Sequence, residues 1–173
     1  MKFFLKITLI MAILTSISCN KNDKFLLEMP YKQKFSVNAG LDSQKTWFFN
    51  IKDIRSSRKE LFSVNGIEES EITKINPGKA KLINVFGGDD YGNIEKISVQ
   101  IFTDDRDKAK EIFYRDDVPP NTGSDLDLIA TLVDLNDYLE ETFNVFVKIN
   151  LEVRPLFLLK IELNFRLLFY KID

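Results

Sequence analysis

FLLKIELNFRLLF, residues 157–169, has an apolar side chain at every odd position, while four of its six even positions are polar or charged. Successive side chains of a β-strand point to opposite faces of a sheet, so this alternation predicts a long strand with one buried face. FNVFVKINLEV, residues 143–153, alternates in the same way. Pro155 lies between the two stretches and predicts the bend of a hairpin.

Shorter stretches with strand character fill much of the remaining chain, and turn residues separate several of them. The predicted strands are 34–37, 46–51, 82–86, 97–101 and 112–114, and the predicted turns are 38–40, 76–78 and 87–93. Only residues 134–141 predict a helix, because Asp134 can cap it and Leu135 and Leu139 are four apart. The chain therefore predicts an all-β fold, an antiparallel two-sheet β-sandwich of seven or eight strands with one short helix. A small closed β-barrel would leave the same pattern.

Composition excludes several kinds of chemistry. The chain has 173 residues, 24 basic and 26 acidic side chains, one cysteine and no histidine. Without histidine there is no Ser/His/Asp triad, no Cys/His pair and no imidazole metal ligand. One cysteine cannot close an intramolecular disulfide, and near-neutral charge argues against a nucleic-acid partner. No cofactor, catalytic residue or metal ligand is predicted.

The N-terminus has the layout of a secretory signal peptide. Lys2 and Lys6 precede an apolar run at residues 7–14, and small polar residues follow it. An apolar run of this length is too short to cross a bilayer, which takes roughly 20 residues. We predict that residues 1–18 are a signal peptide that is removed.

Ser16-Ile17-Ser18-Cys19 resembles the lipobox of bacterial lipoproteins, with Ser16 in place of the usual leucine. The resemblance implies cleavage between Ser18 and Cys19, attachment of diacylglycerol to the Cys19 sulfur, and membrane lipid as a partner. Asn20 after the cysteine resembles the pattern of lipoproteins sorted to the outer membrane of the cell envelope. Ordinary secretion is the alternative, since Ser16 and Ser18 also satisfy its small-x-small rule and would leave Cys19 as a free thiol.

The rest of the chain predicts a short linker and one domain. Residues 20–24 are polar and lack apolar periodicity, so residues 19–30 are interpreted as the lipidated cysteine with a flexible tether. Residues 31–173 are long enough to form a single β-sandwich domain with its own core.

Acidic clusters are the best remaining candidates for chemistry. They are Asp89-Asp90, Asp104-Asp105 with Asp107, Asp116-Asp117, and Asp125 with Asp127. Loops could bring such oxygens together around Ca²⁺, or two carboxylates could hydrolyse a glycoside. None of the clusters fits an EF-hand loop, and acidic residues at strand ends commonly cap turns, which is the interpretation we favour.

Exposed aromatic side chains are the second kind of candidate. Trp47, Phe48, Tyr91, Phe102, Phe146 and Tyr170 are conceivable ligand platforms. The alternation assigns Phe48, Phe102 and Phe146 to the solvent face, where they either bind a ligand or lie under residues 116–131. The irregular stretch 115–125 is a binding loop or a plain crossover.

These patterns predict a non-enzymatic, lipid-anchored envelope protein that presents loops or an aromatic face to a protein or glycan. The alternative is a carboxylate- or Ca²⁺-dependent enzyme that acts on envelope polysaccharide. A structural subunit of an envelope assembly is the third possibility.

Overall fold

The computed structural model describes residues 23–86 and 91–172, and there the chain is all-β with one α-helix. The elements are β1 (Asp23–Val37), β2 (Thr46–Arg55), α1 (Arg58–Asn65), β3 (Lys74–Phe86), β4 (Ile94–Phe102), β5 (Lys110–Arg115), β6 (Asp125–Ala130), β7 (Thr142–Leu151) and β8 (Leu159–Ile172). Three short 3₁₀ helices lie at Glu69–Glu71, Arg106–Lys108 and Asn136–Tyr138. The predicted signal peptide (1–18), the proposed cleavage site at Ser18 and Cys19, and Asp89 and Asp90 lie outside the described residues.

All eight strands belong to one antiparallel sheet, in the order β1-β8-β3-β6-β5-β4-β7-β2. The sheet is curled, so that strands distant in this order meet across the core. The Tyr31 ring on β1 lies 5.2 Å from that of Phe143 on β7, and the Phe113 ring on β5 lies 6.0 Å from that of Phe165 on β8. The core fills the space between the two sides of the curled sheet.

Strong alternation predicted the two C-terminal strands correctly. The odd residues of β8 from Ile161 to Phe169 are buried, and the polar residues between them lie on the outer face. Fully burying each large apolar side chain contributes about 1.5–3 kcal/mol, so β8 is a main source of stability. The all-β prediction and the strand number are confirmed.

The first strand is longer than the sequence suggested. Residues 23–30, which we expected in a flexible tether, begin β1 and pair with residues 166–172 of β8. The ladder is supported on its outer face by Arg166, which binds Glu28 at 2.8 Å. The tether prediction is therefore wrong for residues 23–30.

Three connections also differ from expectation. β7 and β8 do not form a hairpin: β7 pairs with β2 and β4, while β8 pairs with β1 and β3. The Pro155 loop instead connects the two sides of the curled sheet, and the Pro155 carbonyl accepts a hydrogen bond from the Gly40 amide at 2.8 Å.

The predicted turn at 76–78 is a bulge within β3, between Pro77 and Ala80. Residues 125–130 form strand β6, although we expected them to belong to a segment that could cover the outer phenylalanine rings.

The helix lies elsewhere than predicted. Within 134–141 only a 3₁₀ turn forms, because the Asp134 carboxylate accepts the amide of Ile75 at 3.1 Å and the Leu135 amide donates to the Ile75 carbonyl at 2.8 Å. These bonds to β3 replace helical ones. The α-helix is α1, which packs Phe62 edge-on against Phe169 and ends at Gly66 with a φ of 65°. A left-handed residue after a helix is the usual role of glycine.

The β3 bulge generates a stability prediction. A Cβ at Gly78 would lie 2.9 Å from Leu168 Cγ and 3.1 Å from the Arg166 carbonyl oxygen. We expect Gly78→Ala to lower the free energy of unfolding by about 1–3 kcal/mol, because β8 must shift to make room. Urea denaturation measures this, with Lys79→Ala at the next, exposed position as the control. An unchanged urea midpoint for Gly78→Ala would show that β8 can shift at this position without loss of stability.

Candidate binding face

Three of the predicted aromatic residues come together on the outer face of β2, β7 and β4. The strand register pairs Asn50 with Phe146 and Asn144 with Phe102, so Phe48, Phe146 and Phe102 follow a diagonal across three strands. Diagonal neighbours on one face are within reach of aromatic side chains. The ring centroids of Phe48 and Phe146 are 5.8 Å apart, and those of Phe102 and Phe146 are 5.7 Å apart. We call these three rings the aromatic face.

Arg106 lies over the aromatic face. Its guanidinium carbon is 4.9 Å from the Phe146 centroid and 5.6 Å from the Phe48 centroid, and its Nη2 donates to Asn50 Oδ1 at 2.9 Å. A guanidinium this close to a ring is attracted by the negative charge of the π face. Arg106 begins a 3₁₀ helix that Asp105 caps, since the Asp107 amide donates to Asp105 Oδ1 at 3.0 Å. The Asp104–Asp107 cluster therefore includes a cap that positions the arginine.

The three rings differ in exposure. Phe48 is 50% exposed, whereas Phe146 is 6% and Phe102 7% exposed. Arg106, rather than residues 116–131, covers the buried Phe146 ring. Within that stretch, 125–130 is a strand, and the Val118 amide donates to the Glu95 carbonyl at 3.1 Å, at the opposite end of β4 from Phe102. Phe48 and Arg106 are thus the open part of the face.

A cleft of about 570 Å³ adjoins the aromatic face. Thr103, Asp104 and Asn144 line the side nearest Phe102. The Asn144 amide is held on both sides, because its Nδ2 donates to the Thr103 carbonyl at 2.6 Å and its Oδ1 accepts the Asp53 amide at 3.0 Å. Asp53 sits in the β2 bulge with a φ of 55°, a conformation that a side chain other than glycine adopts at a cost.

The cleft has more acidic than basic side chains. The acidic lining residues are Asp53, Glu69, Asp104, Glu140 and Glu141, and the basic ones are Arg58 and Lys59. Arg58 pairs with Glu69 at 3.2 Å and Lys59 pairs with Glu141 at 3.2 Å, so both cations are already engaged. The excess of negative charge favours neutral or cationic groups over anionic ones.

The other aromatic candidates do not join this face. Trp47 points toward the core and donates its Nε1 to the Asp42 carbonyl at 2.9 Å. Tyr91 is fully buried, and burial raises the pKa of its phenol above the ordinary value. Tyr170 on β8 lies beside Phe25 of β1, with ring centroids 6.0 Å apart.

The described acidic clusters are partnered by lysines. Lys81 binds Asp125 at 3.1 Å and Asp127 at 3.8 Å, Lys108 binds Asp105 at 3.5 Å, and Lys96 binds Asp116. In residues 23–86 and 91–172, no three acidic or cysteine side chains form a group that could hold a metal ion. The capping and pairing interpretation of these acids accounts for the contacts they make.

Sequence reasoning missed the polar partners of the aromatic face. Arg106 and Asn50 are far apart in the chain, and Asn144 looked like an ordinary outward residue of β7. No local pattern marks them, because a 3₁₀ turn of three residues and a cross-strand diagonal leave no periodic signal. The alternation did identify all three phenylalanines.

Comparisons with known proteins give little. No family model and no curated protein matches the chain. A solved chain titled Desmodium yellow mottle tymovirus aligns with 8% identity over 85% of this chain and 89% of that chain, at a TM-score of 0.25. A likeness this weak carries no argument about fold or function. Among the described residues, no helix is both long and apolar enough to cross a bilayer.

The arginine–phenylalanine contact generates a stability prediction. In a double-mutant cycle of Arg106→Ala and Phe146→Leu, we expect a coupling free energy of about 0.5–1 kcal/mol, because both single changes remove the same cation–π contact. Urea denaturation of the four proteins measures it. Lys108→Ala, in the same 3₁₀ helix, is the control and should show no coupling to Phe146→Leu. A coupling of zero for Arg106 would mean that its stacking is not maintained in solution.

Proposed function

We propose that this chain is a lipid-anchored protein of the bacterial cell envelope that binds a glycan without catalysing a reaction. We infer glycan binding from the aromatic face and from Arg106, which stacks on it. We infer the lipid anchor from the sequence pattern of residues 1–19. Glycan binding and lipid anchoring are independent of each other and are tested separately.

The anchor is supported by the sequence around Cys19. A single acyl chain holds a protein to a membrane only marginally, at about 0.8 kcal/mol per buried CH₂, whereas two or three chains hold it stably. Asp23, the first residue of β1, is four residues after Cys19, and a chain of that length spans at most ~14 Å. An acylated Cys19 would therefore keep the domain close to the membrane surface, most simply that of the outer membrane.

We further propose that the curled sheet is a two-sheet sandwich. β1, β8, β3 and β6 would form one layer, and β2, β7, β4 and β5 the other. Only two residue pairs, Phe113 with Ala130 and Tyr114 with Ile129, join β5 to β6, so the sheet is weakest where the layers would divide. The ring contact of Tyr31 with Phe143 supports packing of the layers face to face.

A glycan suits the chemistry of the aromatic face. A sugar ring has an apolar face of C–H groups and a rim of hydroxyls, so it needs a flat apolar surface beside polar side chains. Phe48 offers the surface, and Arg106 and Asn50 lie beside it with their polar atoms. The acidic cleft next to the face favours neutral or amino sugars over sugar acids.

The anchor is tested by the intact mass of the protein extracted from membranes. We expect the mass of the mature chain from Cys19 with diacylglycerol and an acyl chain added, and we expect Cys19→Ser to leave the membrane fraction. Ser18→Ala, which keeps a small residue before the cysteine, is the matched control and should remain lipidated. An unmodified Cys19 in a soluble fraction would establish ordinary secretion instead.

Glycan binding is tested with purified peptidoglycan sacculi and an array of neutral, amino and acidic oligosaccharides. We expect wild-type binding to fall about tenfold in Phe48→Ala, because a ring that stacks on a ligand contributes on the order of 1.4 kcal/mol. Phe25→Ala is the matched control, since Phe25 is 52% exposed, as Phe48 is 50%, but lies on β1. Equal losses in both variants, or no binding by the wild type, would reject the proposal.

The second candidate function is a carboxylate-dependent enzyme acting on envelope polysaccharide. The observation in its favour is that Asp53 and Asp104 line a cleft beside the aromatic face. Two carboxylates are sufficient for glycoside hydrolysis when they flank the bond. Release of reducing ends from a bound glycan, abolished in Asp53→Asn or Asp104→Asn with binding retained, would favour the enzyme over the binding module.

A further inference from the structure

A row of polar and charged side chains crosses the other outer face of the protein. In the strand register, Lys32 of β1 lies opposite Asn164 of β8, Asn164 lies opposite Lys81 of β3, and Lys81 lies opposite Asp127 of β6. Neighbouring strands are about 4.8 Å apart, so the backbones of Lys32 and Lys81 are separated by about 10 Å with the Asn164 amide between them. Two lysine side chains easily converge over that distance.

The β3 bulge adds two more cations to this row. Arg166 is two residues after Asn164 on the same face of β8, and the irregularity between Pro77 and Ala80 brings Lys79 beside it. Lys32, Lys79, Lys81 and Arg166 line a cleft of about 580 Å³, in which Asp127 is the acidic lining residue. We call this cleft the cationic cleft. Its volume is in the range of small-molecule sites.

A buried carboxylate holds one side of the cationic cleft in place. Glu162 on β8 is 7% exposed, lies 2.9 Å from Lys32 Nζ, and accepts a hydrogen bond from Asn164 Nδ2 at 3.2 Å. Lys32 beside it holds the pKa of the Glu162 carboxyl below its usual range, so the carboxylate remains charged at neutral pH. Lys32 and Asn164 are thereby fixed with respect to each other.

Three of the four cations of the cleft remain available to a ligand, whereas Lys32 is held by the buried Glu162 carboxylate. Arg166 pairs with Glu28, and Lys81 pairs with Asp125 and Asp127, but these pairs are solvent-exposed, and exposed ion pairs contribute little. Lys79 is exposed, and its side chain has no ion pair or hydrogen bond among the described residues. A ligand with two negative charges can therefore bind Lys79 directly. It can also contact Lys81 and Arg166 while these keep their present acidic partners.

We propose that the cationic cleft binds a phosphate group, carried either by a membrane lipid headgroup or by a soluble phosphorylated molecule. A phosphate dianion accepts hydrogen bonds on several oxygens at once, which matches ammonium groups from two strands and the planar fork of a guanidinium. The acidic cleft on the opposite face has the reverse charge and would repel the same ligand. This site depends neither on the proposed glycan function nor on the anchor.

The test is calorimetric titration of the full chain with pyrophosphate at low ionic strength. Every sample carries Cys19→Ser, so that an anchor makes no contribution. We expect Lys79→Gln to weaken binding about tenfold, as the loss of a hydrogen bond to a charged group does. Lys110→Gln is the matched control, because Lys110 is likewise exposed and its side chain has no ion pair or hydrogen bond among the described residues. This variant should change the affinity less than twofold.

A second titration identifies the source of the phosphate. Vesicles of phosphatidylglycerol with phosphatidylcholine are compared with vesicles of phosphatidylcholine alone. Pyrophosphate binding that depends on Lys79 supports a soluble phosphorylated ligand, and binding only to the anionic vesicles, again dependent on Lys79, supports a lipid headgroup. The proposal is overturned if neither probe binds, or if Lys79→Gln and Lys110→Gln weaken binding equally. Matching urea midpoints of the variants exclude unfolding as a cause.

Discussion

Tyr31 joins the two sides of the curled sheet, and the positions of both outer faces depend on it. Its ring stacks on Phe165 of β8 at 4.9 Å and meets Phe143 of β7 edge-on at 5.2 Å. Its hydroxyl donates to the Ser56 carbonyl, just after β2, at 2.7 Å. Burial raises the pKa of the Tyr31 phenol, so the hydroxyl remains a donor over the physiological range. One side chain therefore fixes β1 and β8 against β7 and the end of β2.

This closure gives the protein two outer faces of opposite character. The face on β2, β7 and β4 has phenylalanine rings, one arginine and an acidic cleft, while the face on β1, β8 and β3 has a cationic cleft. The core separates the two sides of the curled sheet, so a ligand on one face does not touch the other. Each face can then be altered by substitution without direct effect on its counterpart, and the two proposed sites are separable by experiment.

The alternation of apolar and polar residues predicted the properties that strand geometry alone determines, which are strand position and side-chain direction. It placed β7 and β8, and it assigned Phe48, Phe102 and Phe146 to the outer face, because side-chain direction in a strand has a period of two. It could not reveal that β7 and β8 lie apart, or that Lys32 and Lys81 flank Asn164, since strand pairing joins residues far apart in the chain. α1 was missed because it is eight residues long and buries only Phe62.

The acidic clusters show how charge in a sequence differs from charge in a structure. Asp125 and Asp127 look like a candidate cation site, yet Lys81 lies between β8 and β6 in the register and binds both, and their hydrogen bonds and charges raise its pKa. Asp116 has Lys96 as its partner in the same way. A metal ion at these positions would have to displace a lysine that the β-ladder places there. Lys81 also lines the cationic cleft, where Lys32, Lys79 and Arg166 supply the other positive charges.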